Sequence, residues 1–290
     1  MPKAAQDGVL LEYESLGSPG LPAVVLVAGL GGQLTSWDDP FCEALAARGL
    51  RVIRYDNRDS GLSTRLDAAG PPDLLASLFG AASAVYTLDE LTDDLIAVLD
   101  AAGVERAHLV GMSMGGMIAQ LASLRHPDRV LSVAILMSGP AGRPLEAPDP
   151  AIVELLLRPE PEDFAGRVTA AVELRRALAA HEAFDVALAT RRAEAQLLRS
   201  YYPVGTMRQA AAILATPNLL SELPRLRVPA LVVHGERDPL VPFEVGRQTA
   251  AAIPGARFHP MAGVGHDLPE AEGPALLEAI CGLVQVAEPV

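Results

Sequence analysis

Five short runs of almost unbroken apolar residues constrain this chain more than anything else in it: "AVVLVAG" (23–29), "RVIRYD" (51–56), "AHLVG" (107–111), "LSVAILM" (131–137) and "ALVVHG" (230–235). A strand with one wet face alternates apolar and polar residues, so runs that do not alternate read as parallel strands covered by helices on both faces. Segments at 88–102, 115–126, 243–252 and 270–286 have helical spacing and fall between the runs, giving the β-α-β rhythm of a doubly wound, mostly parallel sheet. "VLLEYES" (9–15) does alternate and reads as an antiparallel strand near the N-terminus, and "ARFHPM" (256–261) as a short last strand. The rhythm breaks once. From 141 to 217, after the Pro/Gly-rich "SGPAGRPLEAPDP", the chain is Ala, Leu, Arg and Glu at helical spacing. The expected organisation is an α/β core of residues 1–140 and 218–290, with residues 141–217 inserted as a helical lid. The arginines of that insertion read as a solvated helix face.

Composition narrows the function classes. Half of the 290 residues are hydrophobic, enough to bury a sizeable core. A net charge of −13 argues against nucleic acid and anionic membrane surfaces as partners, since both need clustered cations. Of the 23 basic residues 22 are arginine, and the one lysine, Lys3, is expected in a frayed terminus. Schiff-base, pyridoxal and P-loop chemistries each need a placed lysine and drop out together. Cys42 and Cys281 form no C-x-x-C pair and read as small buried hydrophobes. No signal-peptide pattern and no apolar stretch of roughly 18 residues is visible, so a cytoplasmic, soluble protein is expected.

The stretch "HLVGMSMGGMIAQ" (108–120) carries the chemistry. Gly111-Met112-Ser113-Met114-Gly115 is a G-x-S-x-G pattern set between a strand and a helix, the context of a nucleophile elbow. A serine hydroxyl is a weak nucleophile that needs a base, itself oriented by an acid. "HGERDPLVP" places Asp238 just beyond one buried strand, and "AGVGHDLP" places His266 in a glycine-rich loop beyond the next. Both therefore stand at carboxyl ends of strands, where open α/β sheets bind ligands. Taken singly, Asp238 before proline also reads as a turn initiator, Glu236 is a nearby competitor, and His266 also reads as an ordinary loop histidine. The other five histidines show no metal-ligand spacing, and no metal or cofactor is expected. Two backbone N–H groups are needed for a developing oxyanion. Met114, at the start of the helix, and Leu30, in "GLGG" (29–32), are the candidates. "GLGGQL" departs from G-x-G-x-x-G, which sets a dinucleotide site aside.

In order along the chain, "AGLGG", "RYDNRDSGLST", "AHLVGMSMGG", "VPALVVHGERDPLVP" and "GVGHDLP" resemble the α/β-hydrolase family of the lid-bearing kind, over nearly the whole length. "RYDNRDSGLST" and "GMSMGG" also resemble the aclacinomycin methylesterase group and many broad carboxylesterases. The resemblance implies a Ser113–Asp238–His266 triad beneath a helical lid. One departure is Ala28-Gly29 where the family often has His-Gly, which leaves the backbone donor in place and the loop's anchoring open. Asp56, Arg58 and Asp59 read as a scaffold hydrogen-bond hub, and Ser138 is not a carboxylate that would serve as an acid displaced to its strand.

The expected activity is that of a serine carboxylesterase cleaving small to medium hydrophobic esters through an acyl-enzyme. Gly29, Leu30, Met112 and Met114 are expected to bind substrate in an aliphatic, plastic pocket, in a monomer or homodimer. A cofactor-free haloperoxidase or perhydrolase, a lactonase, a thioesterase or a C–C hydrolase fits the same three residues. From another class, a ligand receptor on this fold fits them too.

Overall fold

The structure is a computed structural model and describes residues 2–78, 84–181 and 184–287. Eight strands form one twisted sheet: β1 (Lys3–Gln6), β2 (Val9–Leu16), β3 (Ala23–Val27), β4 (Arg51–Tyr55), β5 (Ala107–Met112), β6 (Val130–Leu136), β7 (Ala230–Gly235) and β8 (Arg257–Met261). Their spatial order is β1-β2-β4-β3-β5-β6-β7-β8. β1 and β2 pair antiparallel, as do β2 and β4; every pair beyond is parallel. The continuously apolar runs are the parallel strands, and all residues of β3 and β7 are buried. β8 is the exception, an edge strand with Pro260 in it and four of its five residues at least partly exposed.

Helices cover both faces. α1 (Asp39–Ala46) and α10 (Gly273–Ala287) close one face over Val24, Leu26, Val52, Val110 and Val233. α3 (Leu88–Ala101), α4 (Met114–Arg125) and α9 (Phe243–Ala252) close the other over Val25, Val27, Ile53, Leu109 and Val232. The short α2 (Leu74–Leu78) precedes α3. Between β6 and β7 run α5 (Pro150–Leu156), α6 (Phe164–Ala179), α7 (Val186–Arg199) and α8 (Pro203–Ala215). Among the described residues no helix is long and apolar enough to cross a membrane.

Two local expectations are corrected. Lys3 is not frayed: it lies in β1, across from Glu12, with its Nζ 3.5 Å from that carboxylate. The β1–β2 hairpin turns at Asp7-Gly8, both at positive φ (47° and 82°), the primed geometry that an Asp-Gly pair favours. The last helix begins at Gly273, after a single 3-10 turn at Glu270–Glu272.

Parallel register sets the site. Val27 pairs with Gly111, Gly111 with Ile135, and Ile135 with Val232. The carboxyl ends of β3, β5, β6 and β7 therefore finish side by side, and the loops after them share one edge.

Candidate active site

Ser113 is the single residue between β5 and α4, held at φ 55° and ψ −121°. Such a conformation costs a non-glycine residue about 1–3 kcal/mol and persists only where its surroundings over-determine it. Here they do. Its N–H donates to Leu136 O at 2.9 Å, and its carbonyl accepts from Gly116 N, Met117 N and the Ser138 hydroxyl, the last at 2.8 Å. The flanking glycines are steric necessities: a Cβ at 111 would lie 2.1 Å from Gly115 O, and one at 115 would lie 2.1 Å from Val27 O. Ser138 thus braces the turn from below rather than acting as an acid.

Asp238 and His266 meet at this edge. The His266 Nδ1–H donates to Asp238 Oδ2 at 2.7 Å, with both residues 7 % exposed. Asp238 Oδ1 accepts from Leu240 N (2.9 Å) and Val241 N (2.8 Å). Asp238 therefore starts the following turn with one oxygen and bonds His266 with the other. Glu236 points to solvent. With Nδ1 committed to the carboxylate, Nε2 is the free lone pair of the ring. No hydrogen bond joins the Ser113 hydroxyl to the imidazole among those of the described residues, an ordinary state for a site without substrate. His234, buried under Asp238, donates Nε2–H to Val241 O at 2.8 Å, and burial lowers its pKa. Asp267, next to His266, is half-buried, and loss of solvent raises its carboxyl's pKa against the counter-pull of His181, 3.3 Å away.

The β3 loop reaches the serine from the other side. A Cβ on Gly29 would lie 3.3 Å from Ser113 Cβ and 3.9 Å from Oγ, so that main chain passes directly over the hydroxyl. The Leu30 N–H has no acceptor among the described residues, and Met114 opens α4, whose first N–H groups have no partner inside the helix. Leu30's side chain is exposed and Met112's is half-buried, whereas that of Met114 is fully buried in the core, so what Met114 offers the site is its backbone N–H. A cavity of about 430 Å³ lies near Leu268, lined also by Trp37, Phe41 and Arg192, but its walls include none of Ser113, Asp238 and His266.

The hub after β4 is larger than the sequence implies. Arg58 grips the buried Asp94 through two bonds of 2.6 and 2.7 Å. Asp56 accepts from Leu34 N (2.7 Å), Leu62 N (2.8 Å) and Arg199 Nη2 (2.8 Å). Asp59 accepts from Leu66 N, Tyr86 OH and, through both oxygens, Arg208 at 2.8 and 2.9 Å. Arg199 and Arg208 belong to α7 and α8, which corrects the reading of the insertion's arginines as a wholly solvated face: Arg208 is 1 % exposed. These ion pairs, with Gln209, tie the insertion to the core. Their one sequence signal is the pair of aspartates in "YDNRDSG", directly after a buried strand, which need cations if the turn is buried with it.

A serine on a strained strand-to-helix turn and a histidine bonded to a buried carboxylate thus stand on neighbouring loops at one edge of the sheet. Residues 22–272 match the family described as alpha/beta hydrolase fold, and the chain belongs to that family. It is 33% identical over 306 residues to rhodomycin D methylesterase DauP of Streptomyces sp. (strain C5), covering 97% of each chain. It is 32% identical over 305 residues to rhodomycin D methylesterase DnrP of Streptomyces peucetius, again covering 97% of each. Among solved structures, the enol-lactonase from Burkholderia xenovorans LB400 superposes with a TM-score of 0.76 at 25% identity, over 98% of this chain and 100% of that one.

Proposed function

We propose that this α/β-hydrolase is a serine carboxylesterase acting on hydrophobic esters, with Ser113 as nucleophile, His266 as base and Asp238 as the orienting acid. The observation that carries the reading is the 2.7 Å bond from His266 to Asp238 at the sheet edge where Ser113 is held in a strained turn. Substrate binding brings Nε2 within reach of the Ser113 hydroxyl. Nε2 removes the proton as Oγ attacks the ester carbonyl, and the Leu30 and Met114 N–H groups hold the oxyanion. Asp238 steadies the imidazolium, which then protonates the departing alcohol. Water, activated by the same imidazole, releases the acid and restores Ser113.

Residues 141–217 form the lid in this reading, supported by their contacts with the loops of the same edge: Leu178 O of α6 accepts from His266 N at 2.7 Å. The methylesterase relatives make methyl esters the first substrates to try. Lactones, which are cyclic esters, come second on the strength of the enol-lactonase neighbour. The test is turnover of a panel of methyl, p-nitrophenyl and lactone esters by wild type and Ser113→Ala. Loss of the serine should cut kcat by orders of magnitude, on the order of 10⁶ where the residue acts with its partners. Near-native turnover by the alanine variant would end the proposal.

A further inference from the structure

We propose that Gln209, on α8 of the insertion, is a positioning residue for the oxyanion hole; the proposal rests on the serine-esterase reading above. Gln209 is fully buried. Its Oε1 accepts from Gly31 N at 2.8 Å, and its Nε2 donates to Arg58 O at 2.8 Å. One end of the amide therefore holds the residue after Leu30. The other end is fixed on a residue that is itself locked by two bonds to buried Asp94.

What Gln209 holds is the centre of a turn. Gly32 N donates to Gly29 O at 3.0 Å, so Leu30 and Gly31 are its two central residues, and Gly31 has φ +66°, as the second central residue of a type II turn requires. In such turns the central peptide, here Leu30–Gly31, is the unit that flips between types. The Gln209 bond is made to the N–H of that peptide. α8 touches the same point sterically, since a Cβ on Gly31 would lie 2.8 Å from Thr206 Oγ1. Ser60 Oγ donates to Gly32 O at 2.7 Å and fixes the turn's exit. Ala28 offers no polar side chain, so the central peptide takes its anchor from the insertion rather than from the loop itself. The Leu30 N–H belongs to the preceding Gly29–Leu30 peptide, so the insertion acts on that oxyanion donor one peptide away, through the turn whose central peptide Gln209 holds.

The test compares Gln209→Met, similar in length but without either bond, with wild type on a matched aryl ester and aryl thionoester. A sulfur anion is too large and too weak an acceptor to use the hole fully, so a defect in the hole is felt by the oxygen substrate and largely missed by the sulfur one. Expected is a fall in ester kcat of about tenfold or more, bounded by the ~10²–10³ that loss of one oxyanion donor costs. KM and the thionoester rate should each stay within about threefold. The pH-rate midpoint should not move, because Gln209 touches neither His266 nor Asp238. Should Gln209→Met fail to fold, Gly31→Ala displaces the same peptide from the Thr206 side and should show the same ester-selective loss. Equal losses on both substrates, or no loss, overturn the inference while leaving an active, Ser113-labelled wild type as an esterase. A wild type that turns over no ester and takes no fluorophosphonate at Ser113 overturns both.

Discussion

Arg208→Met should be among the most destabilising single changes outside the hydrophobic core, for a reason that the structure makes countable. Arg208 makes bonds of 2.8 and 2.9 Å to Asp59, 2.7 Å to Gly70 O and 2.5 Å to Tyr202 OH. Asp59 is 1 % exposed, and without the guanidinium its carboxylate keeps only two neutral donors, Leu66 N at 2.8 Å and Tyr86 OH at 2.9 Å. Removing one partner of a buried pair strands the other charge, which typically costs about 3–5 kcal/mol. At the ~2–4 °C per kcal/mol usual for large domains, that is a fall in Tm of roughly 6–20 °C. The assay is urea unfolding followed by far-UV circular dichroism and by the fluorescence of the single tryptophan, Trp37, which is buried at the entrance to α1 rather than in the insertion. Asp59→Asn in the same background should recover part of the loss, giving a coupling of about 2 kcal/mol in the double-mutant cycle. A cost below about 1 kcal/mol for Arg208→Met, or strictly additive single changes, would show that the pair does not hold the insertion to the core.

Two further expectations follow from the site and its surroundings. Asp238→Asn keeps an acceptor for Leu240 and Val241 N–H but presents an amide to Nδ1 that favours the wrong tautomer; kcat should drop by about 10⁴, as in a chymotrypsin-like triad, with Tm little changed. A drop below tenfold would remove Asp238 from its role. His108 is buried against Ser132 at 2.8 Å, and burial lowers its pKa to about 4. Above its unfolded pKa of about 6.5 it is neutral in both states; below that the unfolded chain binds the proton first. Stability should therefore fall as pH drops from about 6.5 to about 4, by up to ~3 kcal/mol from this group, and His234, also lowered by burial, acts in the same direction. His108→Gln should flatten the slope in that window in pH-dependent urea titrations. An unchanged slope would contradict the assignment.

The strands and the elbow were legible in the sequence because each is imposed by a constraint that acts locally. A strand covered on both faces has no polar option at alternate positions, and 111 and 115 tolerate no Cβ within 2.1 Å of a carbonyl oxygen. The meeting of Asp238 and His266 was legible by order, since a parallel sheet delivers successive loops to one edge. Arg199, Arg208 and Gln209 were not. An arginine on a helix looks the same in sequence whether it faces water or reaches an aspartate 149 residues away, as Arg208 does to Asp59. Gln209 had a fainter sign, a polar residue leading into the small apolar stretch "AAAILA", where a buried amide must find partners. The β1–β2 hairpin was also missed, although Asp7-Gly8 announces it: one short strand beside an alternating one gave too little apolar pattern to read.

Covalent labelling tests the assignment of Ser113 as the activated nucleophile most directly. Treated with a fluorophosphonate and digested, the protein should yield one adduct per chain, on the peptide that contains Ser113, and His266→Ala should slow its formation by orders of magnitude. An adduct on another residue, or labelling of Ser113 that is indifferent to His266, would mean that the strained serine and the buried histidine do not act as a unit.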